Sequence, residues 1–184
     1  LTLPWPCVHQ QGNAAIAFQL FKLLGTKGLS LCSENTDIFI ESLKTVFWPG
    51  RYEIIKTDRR YILDCAHNMQ AATALDRTLC EQKETPKVLI FGALRDKPAQ
   101  SMLSLFRQHV QHVVLMPPPI DRAIDPSEIA TKEDAITENA AEALGAALRS
   151  SNEEDTILVT GSLFTVAKIR EILLCESSDM PIGL

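Results

Sequence analysis

The stretch from Tyr61 to Cys80 reads YILDCAHNMQAATALDRTLC, and the fold can be worked out from it. Its first residues, Tyr61–Asp64, form an apolar, β-prone run that predicts a buried strand. From His67 onward the apolar residues recur at helical spacing, which predicts a helix with these side chains facing inward: Ala71, Ala72, Leu75 and Leu79. A strand joined to a helix by one polar turn is the unit of parallel sheets with crossover helices.

The same alternation continues on both sides of this unit. Ahead of it, Tyr52–Lys56 is predicted as a strand that pairs with Tyr61–Asp64. Beyond it we predict strands at Val88–Phe91, His112–Met116 and Thr156–Thr160, and helices at Pro98–His109, Glu138–Leu148 and Leu163–Leu174. The pattern indicates an α/β fold with a Rossmann-like, mostly parallel sheet flanked by helices.

The N-terminal segment has a different pattern. Gln10–Leu24 is predicted as a helix that is apolar nearly all round, and such helices are normally buried on several sides. A second helix is predicted at Asp37–Phe47, before the break at Pro49-Gly50. Because the chain opens with Leu1 and little sequence precedes the first helix, we expect a processed chain or a piece of a longer protein whose remainder packs there.

Composition excludes several classes of protein. A net charge of −5 argues against a broad basic face for nucleic acid. No apolar stretch approaches the ~20 residues of a membrane span, and no basic secretory start is present. The five cysteines include no C-x-x-C pair, so we expect reduced thiols in a cytoplasmic protein. His109 and His112 are interpreted as surface residues, and no metal site is predicted.

Three strand-to-helix turns are the candidate ligand sites, because ligands of open α/β sheets bind beyond the carboxyl ends of the strands. Asp64–Asn68 combines a carboxylate, an imidazole and an amide, which suit a ribose and an anion. An equal alternative is that Asp64 or Asn68 only caps the helix and that His67 is a surface residue. In the turns Gly92–Lys97 and Thr160–Ser162, helix caps at Asp96 and Ser162 are the simpler interpretation.

Arg51 follows the rigid turn Trp48-Pro49-Gly50, where a guanidinium can be held toward a phosphate; an exposed loop arginine is at least as common. The chain contains no G-x-x-x-x-G-K-[ST] loop, since none of its eight glycines precedes a lysine. Phosphoryl transfer by this chain alone is therefore not expected.

Four motifs in fixed order resemble the folylpolyglutamate synthase family of the Mur ligase group. They are Trp48–Arg51, Ile62–Asn68, Phe91–Lys97 and Leu158–Leu163, and His9–Ala15 is similar to the family segment that closes the ATPase domain. Two positions depart from the family pattern: Cys65 stands where glycine is usual, and Met69 where proline is usual. Neither change removes a hydrogen-bonding side chain.

The resemblance implies a Mur ligase C-terminal domain fold and an ATP-dependent amide ligase. ATP phosphorylates the terminal carboxylate of dihydropteroate or a folate, and L-glutamate attacks the acyl phosphate. By the same resemblance, Asn13 contacts the base of ATP, Arg51 its phosphates and Asp64 its ribose. His67 and Ser162 contact the incoming glutamate or the acyl phosphate, and the Mg²⁺ ligands lie in the N-terminal domain.

The resemblance also implies a domain organisation. Residues 1–27 are the end of an N-terminal ATPase domain, residues 28–48 connect, and residues 49–184 are the C-terminal ligase domain. The chain's own N-terminal ATPase domain is then its partner, and the chain alone is expected to fold but not to catalyse.

Two alternatives to this function stay open. One is another Mur-type amide ligase that acts on a peptidoglycan precursor or makes cyanophycin. The other is a stand-alone Rossmann-like module that binds a nucleotide or a protein. Within the folate branch, the first glutamate addition to dihydropteroate, extension of the polyglutamate tail, or both are compatible with the sequence.

Overall fold

The structure is a computed structural model that describes residue 6 and residues 8–28 and 36–174. The chain divides into two compact units, Leu1–Pro49 and Gly50–Leu184. Within the described ranges, no helix combines the length and the hydropathy that a membrane crossing needs.

The described part of the first unit contains two helices, α1 (Val8–Thr26) and α2 (Thr36–Thr45). They meet through aromatic rings, since the ring of Phe39 lies 5.4 Å from that of Phe18 and 5.0 Å from that of Phe21. α1 also carries large apolar side chains that are 45–63% exposed: Ile16, Leu20, Leu23 and Leu24. The helix itself is confirmed, and the described part of this unit covers only part of its apolar surface.

The second unit is built on one six-stranded sheet with the order β1-β2-β6-β3-β4-β5. The strands are β1 (Glu53–Lys56), β2 (Arg60–Leu63), β3 (Val88–Phe91), β4 (His112–Leu115), β5 (Ala135–Ile136) and β6 (Thr156–Thr160). β1 pairs antiparallel with β2, and every other pairing is parallel. The prediction of a mostly parallel α/β sheet is confirmed.

Helices cover both faces of this sheet: α3 (Met69–Glu81), α4 (Ala99–Arg107), α5 (Ala140–Arg149) and α6 (Leu163–Leu173). α5 and α6 form one core cluster with alternate strand residues such as Tyr61, Ile90 and Val159. The intervening residues, such as Ile62, Leu89 and Leu158, are also buried and face the other side, because side chains alternate along a strand. α3 and α4 pack against each other on that side.

Two local predictions are corrected. Strand β5 was not predicted from the sequence, because it has only two residues and is identified by its pairing with β4 rather than by an apolar run. The prediction of a helix cap at Asp96 is wrong. α4 begins at Ala99 with Pro98 at the N-cap position and no side-chain cap, and Asp96 instead contacts Lys97 at 2.9 Å. Asp96 lies two residues before the N-cap position and does not bond to the N–H groups of the first helical turn.

Candidate functional site

The three predicted turns lie together at the carboxyl edge of the sheet. Past the end of β2, Asp64 N–H donates to Val159 O at 3.0 Å. Gly161 N–H, after β6, donates to Ala66 O at 3.2 Å, and Gly92 N–H, after β3, donates to Thr160 O at 3.4 Å. These bonds continue the parallel ladder beyond the strands and tie the three turns to one another.

The connections of β2 and β6 predict a crevice at this edge. β2 leads into α3 on one face of the sheet, and its neighbour β6 leads into α6 on the other. Adjacent parallel strands whose following helices diverge leave an opening between their turns, which is where open α/β sheets bind ligands. The turns Asp64–Asn68 and Gly161–Ser162 border this opening.

A network of buried hydrogen bonds fixes the Pro-Gly turn beside the crevice. Gly50 has a φ of +67°, which glycine adopts without strain, and its carbonyl accepts from Cys65 N–H at 2.8 Å. Gly50 N–H donates to Glu53 Oε2 at 2.8 Å. Arg170 Nε in turn donates to both Glu53 oxygens, at 3.0 and 3.1 Å. The backbone that carries Arg51 is thus held to both β2 and α6.

Asp64 is the central acid of the site. Its Oδ2 accepts from Tyr52 N–H at 3.0 Å and its Oδ1 from Ala66 N–H at 2.9 Å, and the residue is 7% exposed. Loss of solvation by burial raises the pKa of Asp64 to about 6, against the opposing effects of these hydrogen bonds and of the charges of Arg51 and His67. The carboxylate therefore holds the turns together at a cost in solvation.

This raised pKa predicts that Asp64 weakens the fold as the pH rises. Between about pH 4, the unfolded pKa, and pH 6, the folded chain binds a proton that the unfolded chain has lost. Asp64 therefore stabilises the fold most below this window. Over the window its contribution to the free energy of unfolding falls by about 3 kcal/mol.

Urea unfolding of the wild type and of Asp64→Asn at pH 4 and pH 7 measures this effect. The wild type should lose about 3 kcal/mol relative to the variant as the pH rises. Asp121→Asn, at an exposed aspartate, controls for removal of one charge. A wild type that gains stability relative to Asp64→Asn at higher pH contradicts the prediction.

Arg51 and His67 are the other two predicted residues at this site. Arg51 is half-buried, its charge acts on Asp64, and it forms no hydrogen bond or ion pair with any described residue. His67 is exposed, and its Nδ1 lies 2.9 Å from Cys65 O. Because a carbonyl only accepts, Nδ1 carries the proton, and in the neutral ring Nε2 keeps its lone pair. The site thus offers a guanidinium and an imidazole acceptor.

Ser162 and Asn68 act as helix caps. Ser162 Oγ accepts from Phe164 N–H and Thr165 N–H at 3.1 and 3.3 Å, and Asn68 Oδ1 accepts from Ala71 N–H at 2.8 Å. Ser162 is 1% exposed, and its hydroxyl hydrogen remains for a further bond. The capping alternative is therefore confirmed for both residues, while contact of Ser162 with a substrate stays a prediction.

Asn13, the fifth predicted residue, belongs to the first unit. It lies on α1, is exposed, and donates from Nδ2 to Gln10 Oε1 at 3.1 Å. Its contact with the base of ATP stays a prediction.

Thr160 is a further residue at this site, and no role was predicted for it from the sequence. It ends β6 inside the tied turns, it is fully buried, and its Oγ1 has no hydrogen-bond partner among the described residues. Burial of a hydroxyl without a hydrogen-bond partner costs free energy, so a polar group that bonds to Thr160 would be favoured here. Its only signal in the sequence is a polar residue at the end of an apolar strand.

The described residues fit an anionic nucleotide better than they fit its metal ion. Arg51 has donors to spare for phosphate oxygens, whereas both oxygens of Asp64 already accept backbone hydrogen bonds. The group of metal-ligand residues found in the described part of the chain lies on α3 and after α4, not at these turns. The location of the Mg²⁺ ligands in an N-terminal domain stays a prediction.

Comparisons with known proteins give a consistent result. The family model of the Mur ligase, glutamate ligase domain, matches residues 50–163. A Halobacterium salinarum protein named "Probable bifunctional folylpolyglutamate synthase/dihydropteroate synthase" is 32% identical over 169 residues, which are 88% of this chain and 20% of that protein.

Two solved structures share the fold. The bifunctional folylpolyglutamate synthase/dihydrofolate synthase of Yersinia pestis, complexed with AMPPNP and Mn ion, aligns with a TM-score of 0.67 and 25% identity. Escherichia coli FolC in complex with DHPP and ADP aligns with a TM-score of 0.69 and 26% identity. Each alignment covers 76% of this chain and 34% of the other. The chain therefore spans 20–34% of the length of these three proteins.

Proposed function

Because this chain belongs to the Mur ligase, glutamate ligase domain family, we propose that it is the C-terminal domain of an ATP-dependent ligase. The ligase adds L-glutamate to dihydropteroate, to folate polyglutamates, or to both. Support comes from the relatives, two of which carry the names folylpolyglutamate synthase and dihydropteroate or dihydrofolate synthase. The proposed place of the protein in the cell is the cytoplasm.

The observation that carries this proposal is the pair of tied turns after β2 and β6, where the charges of Arg51 and His67 both act on Asp64. Arg51 would bind phosphate oxygens, because its turn is held by backbone hydrogen bonds and its guanidinium has no ion-pair partner among the described residues. Asp64 would accept a ribose hydroxyl with a lone pair that its two backbone hydrogen bonds leave free. Asn13 would contact the base from the first unit.

His67 and Ser162 would act on the second half of the reaction. A neutral His67 ring with its proton on Nδ1 has an acceptor at Nε2, which would bind the ammonium group of glutamate and take a proton from it as the amide forms. The hydroxyl hydrogen of Ser162 can donate to the acyl phosphate, where charge develops. When ATP is bound, it supplies the phosphoryl group that activates the carboxylate of the dihydropteroate or folate substrate.

The proposed organisation places residues 1–27 at the end of an N-terminal ATPase domain, residues 28–48 as a connection, and residues 49–184 as the C-terminal domain. The ATPase domain would supply the phosphate loop and the Mg²⁺ ligands, and the apolar face of α1 would pack against it. The exposed Ile16, Leu20 and Leu23 are the support for this partner.

ADP release by the full-length protein tests the proposal. ATP, Mg²⁺ and L-glutamate are supplied with dihydropteroate or with tetrahydrofolate, in separate reactions. We expect turnover that depends on at least one pterin and that identifies which glutamate addition is catalysed. If the protein turns over neither pterin but acts on a peptidoglycan precursor or makes cyanophycin, it is another Mur-type ligase and the folate proposal is wrong. No turnover together with micromolar ATP binding by the 184-residue chain would favour a stand-alone binding module.

A further inference from the structure

Three potential metal ligands meet on the α3 and α4 side of the sheet. They are Asp76, Cys80 and His109, and one ligand atom from each lies within 4.8 Å of the other two. His109 was interpreted as a surface residue from the sequence, and this is wrong. Its side chain is 10% exposed and its Nε2 lies 2.6 Å from Asp76 Oδ1.

Helix geometry explains how these residues come together. Asp76 and Cys80 are four residues apart on α3, so their side chains lie on one face of that helix. His109 follows Gln108, the C-cap residue of α4, and α3 packs against α4. Gln108 Nε2 also donates to Asp76 Oδ1, at 2.8 Å. The packing of two helices therefore places an imidazole against an existing carboxylate and thiol pair.

The cluster is separate from the candidate ligase site. α3 starts next to the turn Asp64–Asn68 and runs away from it, so Asp76 lies about 12 Å along the helix from Asn68 at a rise of about 1.5 Å per residue. His109 comes just before β4 and thus lies near the amino edge of the sheet. The cluster has no part in the chemistry proposed for the opposite edge.

The ligand types select the kind of ion. A thiolate, an imidazole and a carboxylate together suit Zn²⁺, whereas Mg²⁺ and Ca²⁺ prefer oxygen ligands alone. Zn–N and Zn–S bonds of about 2.0 and 2.3 Å in a tetrahedron put ligand atoms roughly 3.5 Å apart. His109 Nε2 and Asp76 Oδ1 are 2.6 Å apart, and the three ligand atoms all lie within 4.8 Å of one another, so side-chain movement alone would bring them to that geometry.

We propose that Asp76, Cys80 and His109 form a binding site for Zn²⁺ that joins α3 to the end of α4, with water as the fourth ligand. On binding, the S–H bond of Cys80 breaks, its proton passes to the buffer, and the sulfur bonds to the ion. The hydrogen bond between Asp76 and His109 opens, and the ring proton of His109 resides on Nδ1 so that Nε2 faces the ion. Cys80 is exposed, so the ion can enter from solvent.

Titration of the 184-residue chain with Co²⁺, followed by displacement with Zn²⁺, tests this site. We expect one equivalent of Co²⁺ to produce a thiolate charge-transfer absorption with tetrahedral visible bands, and Zn²⁺ to abolish both. Cys80→Ser should remove the charge-transfer absorption, and His109→Ala should weaken Zn²⁺ binding by at least about 10–100-fold. His112→Ala, at an exposed histidine outside the cluster, is the matched control and should bind like the wild type.

Unfolding measurements distinguish a variant that has lost the metal site from one that has lost the fold. Cys80→Ser changes one atom of an exposed side chain, so it should unfold like the wild type without metal. Zn²⁺ should raise the unfolding temperature of the wild type and of His112→Ala, but not of Cys80→Ser. Absence of a thiolate absorption in the wild type, or an absorption that Cys80→Ser retains, would overturn the proposal. The cluster would then be a carboxylate–imidazole contact between two helices beside an unrelated thiol.

Discussion

Replacement of Arg51 by alanine is expected to lower the rate of the proposed ATP-dependent glutamate addition by about 10²–10³-fold in the full-length protein. The guanidinium lies on a turn that hydrogen bonds from Cys65 and to Glu53 hold in place. It is half-buried and has no hydrogen bond or ion pair with a described residue. A cation carried on such a fixed turn can stabilise charge that develops on transferred phosphoryl oxygens, so its loss should act mainly on turnover.

Steady-state kinetics with the preferred pterin measure this effect. Arg51→Lys keeps the charge but loses the planar fork, so we expect an intermediate rate. Arg149→Ala is the matched control, because Arg149 is exposed at the end of α5, near the amino edge of the sheet. If Arg51→Ala turns over within about twofold of Arg149→Ala, Arg51 does not bind the phosphates as proposed. Loss of one donor to a developing oxyanion lowers the rate far more than twofold.

Replacement of Gly161 by alanine is expected to lower the free energy of unfolding by about 2–4 kcal/mol. Gly161 has a φ of +104°, a region that residues with a Cβ rarely adopt. An added Cβ would also lie 2.7 Å from Gly92 O and 2.7 Å from the Phe91 ring. The first of these neighbours is backbone, so relief of the clash must move β3 or the turn itself. The bond from Gly161 N–H to Ala66 O would be strained with it.

Urea unfolding of the 184-residue chain tests this prediction. Gly145→Ala is the control, because Gly145 lies inside α5 and an added Cβ comes no closer than 3.4 Å to another atom, the Nη1 of Arg149. That variant should be unchanged or more stable by up to about 1 kcal/mol, since alanine favours a helix interior over glycine. Equal stability of Gly161→Ala and Gly145→Ala would show that the turn after β6 tolerates a side chain.

Residues of the candidate site could be predicted from the sequence where they directly follow a strand or a turn. Arg51, Asp64 and His67 stand directly after a turn or an apolar run, so local pattern alone singled them out. The partners that hold them are distant in the chain. Arg170 is 117 residues from Glu53, and no local pattern pairs the two. The same holds for His109 and Asp76, 33 residues apart, which is why His109 was misinterpreted.

The sequence by itself determined the alternation of strands and helices, the class of the sheet and the turns that carry polar side chains. These features depend on the spacing of apolar residues and on turn chemistry within a few positions. Only the tertiary structure decided that β6 inserts between β2 and β3, that β5 exists, and that Asp64 is buried between two N–H donors. Strand order and burial depend on pairings between distant segments, whose free energy is realised only when the whole sheet has formed.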